Sequence, residues 1–382
     1  MKKILKGITW AHTRGLAPLQ VTWQVYSDFH PDVEIQWHIR SLHDFGEGSL
    51  NELVQNYDFL LIDHPFMGTI AQSNLFVKLD QNLFADILKT LASESVGASY
   101  NSYYYEGHQW ALPVDAAAQV SAARIDLIEA AGFSVPTSWN EILELSQKTG
   151  KVAMALTPMA TLGMFFTLCN YYGEEPFKNQ SEKVVSDEVA VLALTDMHQL
   201  FNSMPRWCLD VYPPAVFNKM CTSGEIWFVP LSYGYVNYSM KGYATTTVTF
   251  MDVPATKSNI VGGSTLGGVG IALSVHCQNT DVALDYMQWI AGADCQSTLY
   301  ALSGGQPANI KAWKNELLNS ISINFYENTL KSLENAFVRP RYNGFHHFQT
   351  HTGRLLQSFL KNEIDINAVV KTMISNYLNS IK

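Results

Sequence analysis

Charge is scarce in this sequence and nowhere concentrated. Only 15% of its 382 residues are Asp, Glu, Lys or Arg, the formal net charge is −9, and no run of five or more basic residues occurs. Nucleic-acid backbones and anionic membrane faces call for clustered Lys and Arg, so neither is expected as a partner. Long apolar runs are also missing. The longest, around Val152 to Leu156 and Thr161 to Leu168, fall well short of the roughly 20 residues needed to span a bilayer, and no membrane insertion is expected.

Cysteine is sparse and unpatterned. Cys169, Cys208, Cys221, Cys277 and Cys295 form no CxxC or other ligand spacing, which points to reduced, buried thiols and not to a disulfide framework or zinc site. The glycine-rich GGSTLGGVGIALS lacks both GxGxxG and GxxxxGK[ST], so close backbone approach explains its glycines better than a phosphate does. No nucleophile elbow or HExxH is present either. No cofactor, no metal and no catalytic residue is therefore expected.

A secretory leader needs a basic start followed by an apolar run of roughly 7 to 15 residues. MKKILKGITWAHTRG offers only Ile4, Leu5, Ile8 and Trp10, which read as a first core strand. As written, the chain is expected in the cytoplasm. If the natural chain begins further upstream, the expectation becomes periplasmic or extracellular.

What is present suggests a folded, two-part chain. Hydrophobic residues make up 47%, enough for compact cores, and 382 residues exceed one ordinary core, so two domains are expected. Aromatic residues reach 12%, and such faces line sugar clefts as well as cores. Strands at Ile4 to Trp10, Val33 to Ile39 and Phe59 to Ile62 alternate with helices, the pattern of an α/β fold with a parallel sheet. Open α/β sheets bind ligands beyond the carboxyl ends of such strands. Trp10, His12, Thr13 and Arg14 after the first strand, and Asp63 and His64 after the third, are therefore site candidates. Asp63 equally suits a helix cap, and Arg14 is either an inward bidentate donor or a solvated loop residue.

His108 to Arg124 is the stretch around which the chain is organised. Trp110 and Leu112 share a face of a strand that Pro113 should halt, and a second strand follows. That break reads as a crossing between lobes. Asp115 then either faces the space between them or forms an Asx turn. Further on, Ser138 with Glu141 three positions later makes a capping-box pattern. His347 and His351 stand at i, i+4 on one helix face, a geometry that could hold a metal, but no nearby carboxylate completes it and a solvated face is the reading adopted.

The run WALPVDAAAQVSAARIDLIEAAGFSVPTSWNEI resembles the crossover of maltose-binding-type extracellular solute-binding proteins, the substrate-binding components of ABC transporters. Leu112, Pro113, Arg124, Ala131, Gly132, Pro136, Thr137 and Trp139 carry the pattern. YDFLLIDHPFMG, FVKLD, PLSYGY and SGGQPA resemble further segments of that family, so the likeness spans nearly the whole chain. It implies a periplasmic-binding-protein-like type II fold, α/β, with two lobes that each hold a mostly parallel sheet flanked by helices and a ligand cleft at the hinge. The lobes are expected at 1–112 with 265–315 and at 116–262 with 325–382, with crossovers near 113–115, 263–264 and 316–324.

By the same resemblance, Trp227, Tyr233 and Tyr235 would form a stacking platform, although Tyr235 could equally cover its lobe, and Arg339 and Tyr342 would reach the cleft rim. The implied function is capture of a small polar solute, a sugar or a carboxylate-bearing molecule, by hinge closure. A monomer is expected, with a transporter permease as partner if the chain is exported. The alternative is a cytoplasmic enzyme or ligand sensor on the same scaffold, with Asp63, His64, His12 and Asp115 as acid and base groups.

Overall fold

Strands buried on both faces carry almost nothing but apolar residues, and Phe59–Ile62 (β3), with all four side chains buried, is the clearest case here. It pairs in parallel with Lys3–Trp10 (β1), which pairs in parallel with Val33–Arg40 (β2) over eight residues. Thr13–Phe29 (α1) makes the crossover between β1 and β2. These expected strands and their directions are found. The computed structural model describes residues 2–178 and 182–382, which divide into two units.

Unit 1 takes the chain up to Ala117, Gly267–Ser320 and Arg341–Asn343. After β3 a short hairpin, Tyr104–Tyr105 (β4) with His108–Gln109 (β5), leads into Leu112–Ala123 (β6), whose twelve residues are all buried. Pro113 does not halt this strand. Proline is tolerated near the start of a strand, where its missing N–H breaks few ladder bonds, so the chain runs through Pro113-Val114-Asp115 in extended form and no Asx turn forms. The unit boundary falls later, between Ala117 and Ala118.

Unit 2 comprises Ala118–Leu266, Ile321–Pro340 and Gly344–Lys382. The segment 341–343, expected with the second lobe, thus groups with the first. Phe228–Tyr233 (β7) and Thr249–Met251 (β8) both pair antiparallel with the second half of β6. Val152, at the start of one of the two longest apolar runs, makes only an isolated parallel bridge to Phe228. The mostly parallel sheet expected of each lobe therefore describes β1 to β3 but not the paired strands of unit 2. Apolar runs report burial on both faces and are silent on direction. The helix Pro158–Tyr171 is apolar all round, as a helix enclosed by protein must be, and packs against Phe345–Leu360 and Asp187–Asn202.

The glycine-rich crossing becomes Leu266–Leu273 (β9), antiparallel to β3. Gly268 has φ +105°, and a Cβ there would lie 2.5 Å from the Asp115 carbonyl oxygen, so close backbone approach is the reason for this glycine. The capping box at Ser138 and Glu141 is present with both of its bonds. All five cysteines are free and buried. Burial pushes the thiols of Cys208 and Cys221 up to about 11 and those of Cys277 and Cys295 up to about 12.

Candidate functional site

In unit 1 the residues after β1 are organised by the start of α1. His12 is the N-cap, and its Nδ1 accepts the Arg14 amide at 3.0 Å. That bond requires Nδ1 to be unprotonated. Burial, with the Arg14 charge as a second cause, lowers His12 to about 4. Thr13 is exposed in the first turn, while Trp10 is buried in the core against Gly15 and Phe45, ring centroids 5.3 Å apart.

Arg14 points inward, as one of its two readings required, but the carboxylate it meets belongs to the protein. Its Nε donates to Asp115 Oδ2 at 2.8 Å and its Nη2 to Oδ1 at 2.5 Å, with both residues buried. Burial pushes the Asp115 carboxyl up, and the guanidinium works against that push. Gln306, from the SGGQPA stretch, braces the same strand: its Nε2 donates to the Ala116 carbonyl at 2.7 Å, and its own carbonyl accepts the Ala116 amide at 2.9 Å.

Asp63 serves as a helix cap. Its carboxylate accepts the His64 amide at 2.8 Å at the start of His64–Phe66, and His64 Nδ1 lies 3.1 Å from the same oxygen. The His64 ring is wholly buried, edge-on to Tyr103. Tyr342 is half-buried within the 341–343 segment of unit 1.

In unit 2 the polar groups collect around the end of β7. Tyr233 pairs with Gln119 across the ladder, and its hydroxyl lies 3.3 Å from Thr265 Oγ1. Gln119 donates its amide to the Thr265 carbonyl at 3.0 Å, and its side-chain oxygen accepts from Thr167 at 2.8 Å. Arg339, also buried, donates from Nε to the Leu266 carbonyl at 3.1 Å, with its guanidinium carbon 5.9 Å from the Tyr233 ring centroid. Its Nη1 lies 3.8 Å from Met159 Sδ.

Trp227 and Tyr235, expected with this group, have other neighbours. Trp227 precedes β7 at its far end, about 20 Å along the strand from Tyr233 at the usual rise per residue, and its indole N–H is taken by the Gly224 carbonyl at 3.1 Å. Tyr235 is buried, with its ring 6.1 Å from that of Phe217 and 6.4 Å from that of Tyr238 between centroids, the contacts of a residue that covers its lobe. The His347 and His351 rings stack 3.9 Å apart on an exposed helix face.

Sequence reasoning passed over Gln119, Thr167, Thr265 and Gln306. A signal for Gln119 existed. Asp115, Gln119 and Ser121 are polar residues at the even spacing that lines one face of a strand, in a sequence otherwise made of apolar ones, and a buried strand retains such groups only where they have partners.

The chain matches the model of the bacterial extracellular solute-binding protein family over residues 50–318, and it belongs to that family. No curated protein matches it in sequence. Among solved structures, the maltose-bound MalE3 of T. maritima is 18% identical with a TM-score of 0.84, covering 97% of this chain and 98% of that one. A solute-binding protein of an Agrobacterium radiobacter ABC transporter, in complex with ribitol, is 19% identical with a TM-score of 0.81, covering 98% and 97%. One from Agrobacterium vitis with bound D-mannitol is 15% identical with a TM-score of 0.79, again covering 98% and 97%. These likenesses establish the shared fold. The family consists of extracellular proteins, and no helix among the described residues is long and apolar enough to cross a membrane. The enzyme or sensor alternative finds no support in these matches.

Proposed function

We propose that this chain captures a small, neutral, polyhydroxylated solute, a sugar or a polyol, for delivery to a transporter permease outside the cytoplasm. One observation carries the choice of neutral over carboxylate-bearing solute. The Arg14 fork, the group best suited to a ligand carboxylate, is already closed on Asp115. Around Tyr233, the hydroxyls of Thr167 and Thr265 and the carboxamide of Gln119 are uncharged donors and acceptors of the kind that replace the hydration of sugar hydroxyls, and the Arg339 guanidinium beside them already donates from Nε to the Leu266 carbonyl. The Tyr233 ring supplies a face for the C–H side of such a solute.

The relatives in fold named above hold maltose, ribitol and D-mannitol, all neutral and rich in hydroxyls. Membership of an extracellular family favours export over the cytoplasmic expectation. A ligand that binds only the folded chain stabilises it by RT ln(1 + [L]/Kd), about 2.7 kcal/mol at a hundredfold excess over Kd. Thermal melting with maltose, ribitol and D-mannitol, beside citrate and glutamate, is the test. An upward shift confined to the neutral set is expected, and a larger shift with either carboxylate overturns the reading.

A further inference from the structure

The chain leaves unit 2 after Pro340, spends three residues in unit 1 and returns to unit 2 at Gly344. So brief an excursion needs strong local fastening, and both ends of the segment have it. Arg341 Nη1 donates to three backbone carbonyls in one turn, Asn101 at 2.9 Å, Ser102 at 3.1 Å and Tyr104 at 2.8 Å. The same guanidinium lies over the Tyr105 ring, 5.6 Å from its centroid. At the other end, Asn343 donates to Gln72 Oε1 at 2.7 Å and accepts from Thr69 Oγ1 at 3.1 Å, both on the helix Met67–Ser73. Gly68 on that helix makes room, because a Cβ there would lie 2.1 Å from the Arg341 carbonyl oxygen.

Tyr342 is the residue held between these two anchors. We infer that Arg341 is a positioning residue for solute capture: by gathering the carbonyls of Asn101, Ser102 and Tyr104 it fastens Tyr342 to unit 1, although the polypeptide on either side belongs to unit 2. A cation bound to three carbonyl dipoles and an aromatic face is matched in charge distribution without any carboxylate. A ligand group anchored in this way loses little freedom when solute arrives, and preorganisation of that kind raises affinity. The role in capture rests on the reading of the chain as a solute-binding protein, whereas the fastening itself does not.

The experiment uses the full chain with Arg341→Gln, Arg341→Lys and Asn343→Ala. Hydrogen exchange without ligand is expected to quicken about tenfold or more at the hydrogen-bonded amides of Ser102 and Tyr104, whose carbonyls Arg341 holds, in Arg341→Gln, with the amides of β1 and β3 unchanged. Lysine keeps the charge and three donors, so Arg341→Lys restores part of the protection, and Asn343→Ala shifts it in the same direction as Arg341→Gln. In the binding arm, titrated with maltose, ribitol and D-mannitol, Arg341→Gln is expected to weaken the best-bound of the three about tenfold while the unliganded Tm stays within a few degrees. Unchanged exchange at Ser102 and Tyr104 overturns the fastening. Quickened exchange with unchanged affinity overturns the role in capture. If none of the three solutes binds the parent chain, the proposed ligand class fails, and the exchange arm still upholds or overturns the fastening.

Discussion

Arg14 and Asp115, 101 residues apart in sequence, hold each other through two hydrogen bonds of 2.8 and 2.5 Å inside unit 1. The fork joins the first turn of α1 to β6, and each partner is the other's compensation for loss of water. Removing one partner strands a buried charge, at a cost of about 3–5 kcal/mol, whereas replacing both by apolar residues of similar size is far milder. Arg14→Met and Asp115→Leu are therefore expected to be strongly destabilising alone and less so together. Urea unfolding of the two single variants and the double variant reads this directly, and additive losses would contradict it.

The His12 cap makes stability depend on acid in a defined window. Its folded value of about 4 lies below the ordinary 6.5, so between those two pH values the unfolded chain binds a proton that the folded chain refuses. The contribution is fully present above pH 6.5 and is lost as the pH falls towards 4, by up to about 3 kcal/mol. Asparagine caps a helix without titrating in this range. Urea unfolding of His12→Asn and the parent at pH 7 and pH 4.5 should show the parent losing more, and parallel losses would remove His12 from this role.

Tyr233 and Trp227 belong to one aromatic-rich segment but should behave oppositely. Tyr233→Phe deletes the hydroxyl facing Thr265 and should weaken binding of the best neutral solute about tenfold, the effect of one lost hydrogen bond of about 1.4 kcal/mol. Trp227→Phe removes only the bond to the Gly224 carbonyl, far along the strand, and should leave affinity unchanged. Isothermal titration of both variants decides, and equal losses would place the site elsewhere on β7.

How far the sequence revealed these features depended on whether each had a local signature. The β1–α1–β2 unit, the buried run of β3 and the capping box at Ser138 are written in short-range patterns and were read correctly. Pro113 misled because proline marks a missing donor, and only the pairing of neighbours shows whether a donor was needed there. The antiparallel pairing of β7 and β8 with β6 depends on where distant segments return, which apolar content does not encode. Arg14 and Asp115 were both singled out as candidates, yet a separation of 101 residues concealed that they choose each other. Trp227 attracted notice through its residue type, and its distance from Tyr233 became evident only from the strand.

The five sheltered sulfurs have a practical consequence. Thiolate is the form that reacts with alkylating reagents, and burial, which also raises the thiol pKa, keeps it scarce in the folded chain. Native molecules should be silent towards such reagents, and each sulfur becomes modifiable when the structure around it opens. Mass-resolved alkylation would then time the local breathing of both units at five built-in positions, and a single cysteine placed on the surface could be tagged with a fluorophore against an unreactive background.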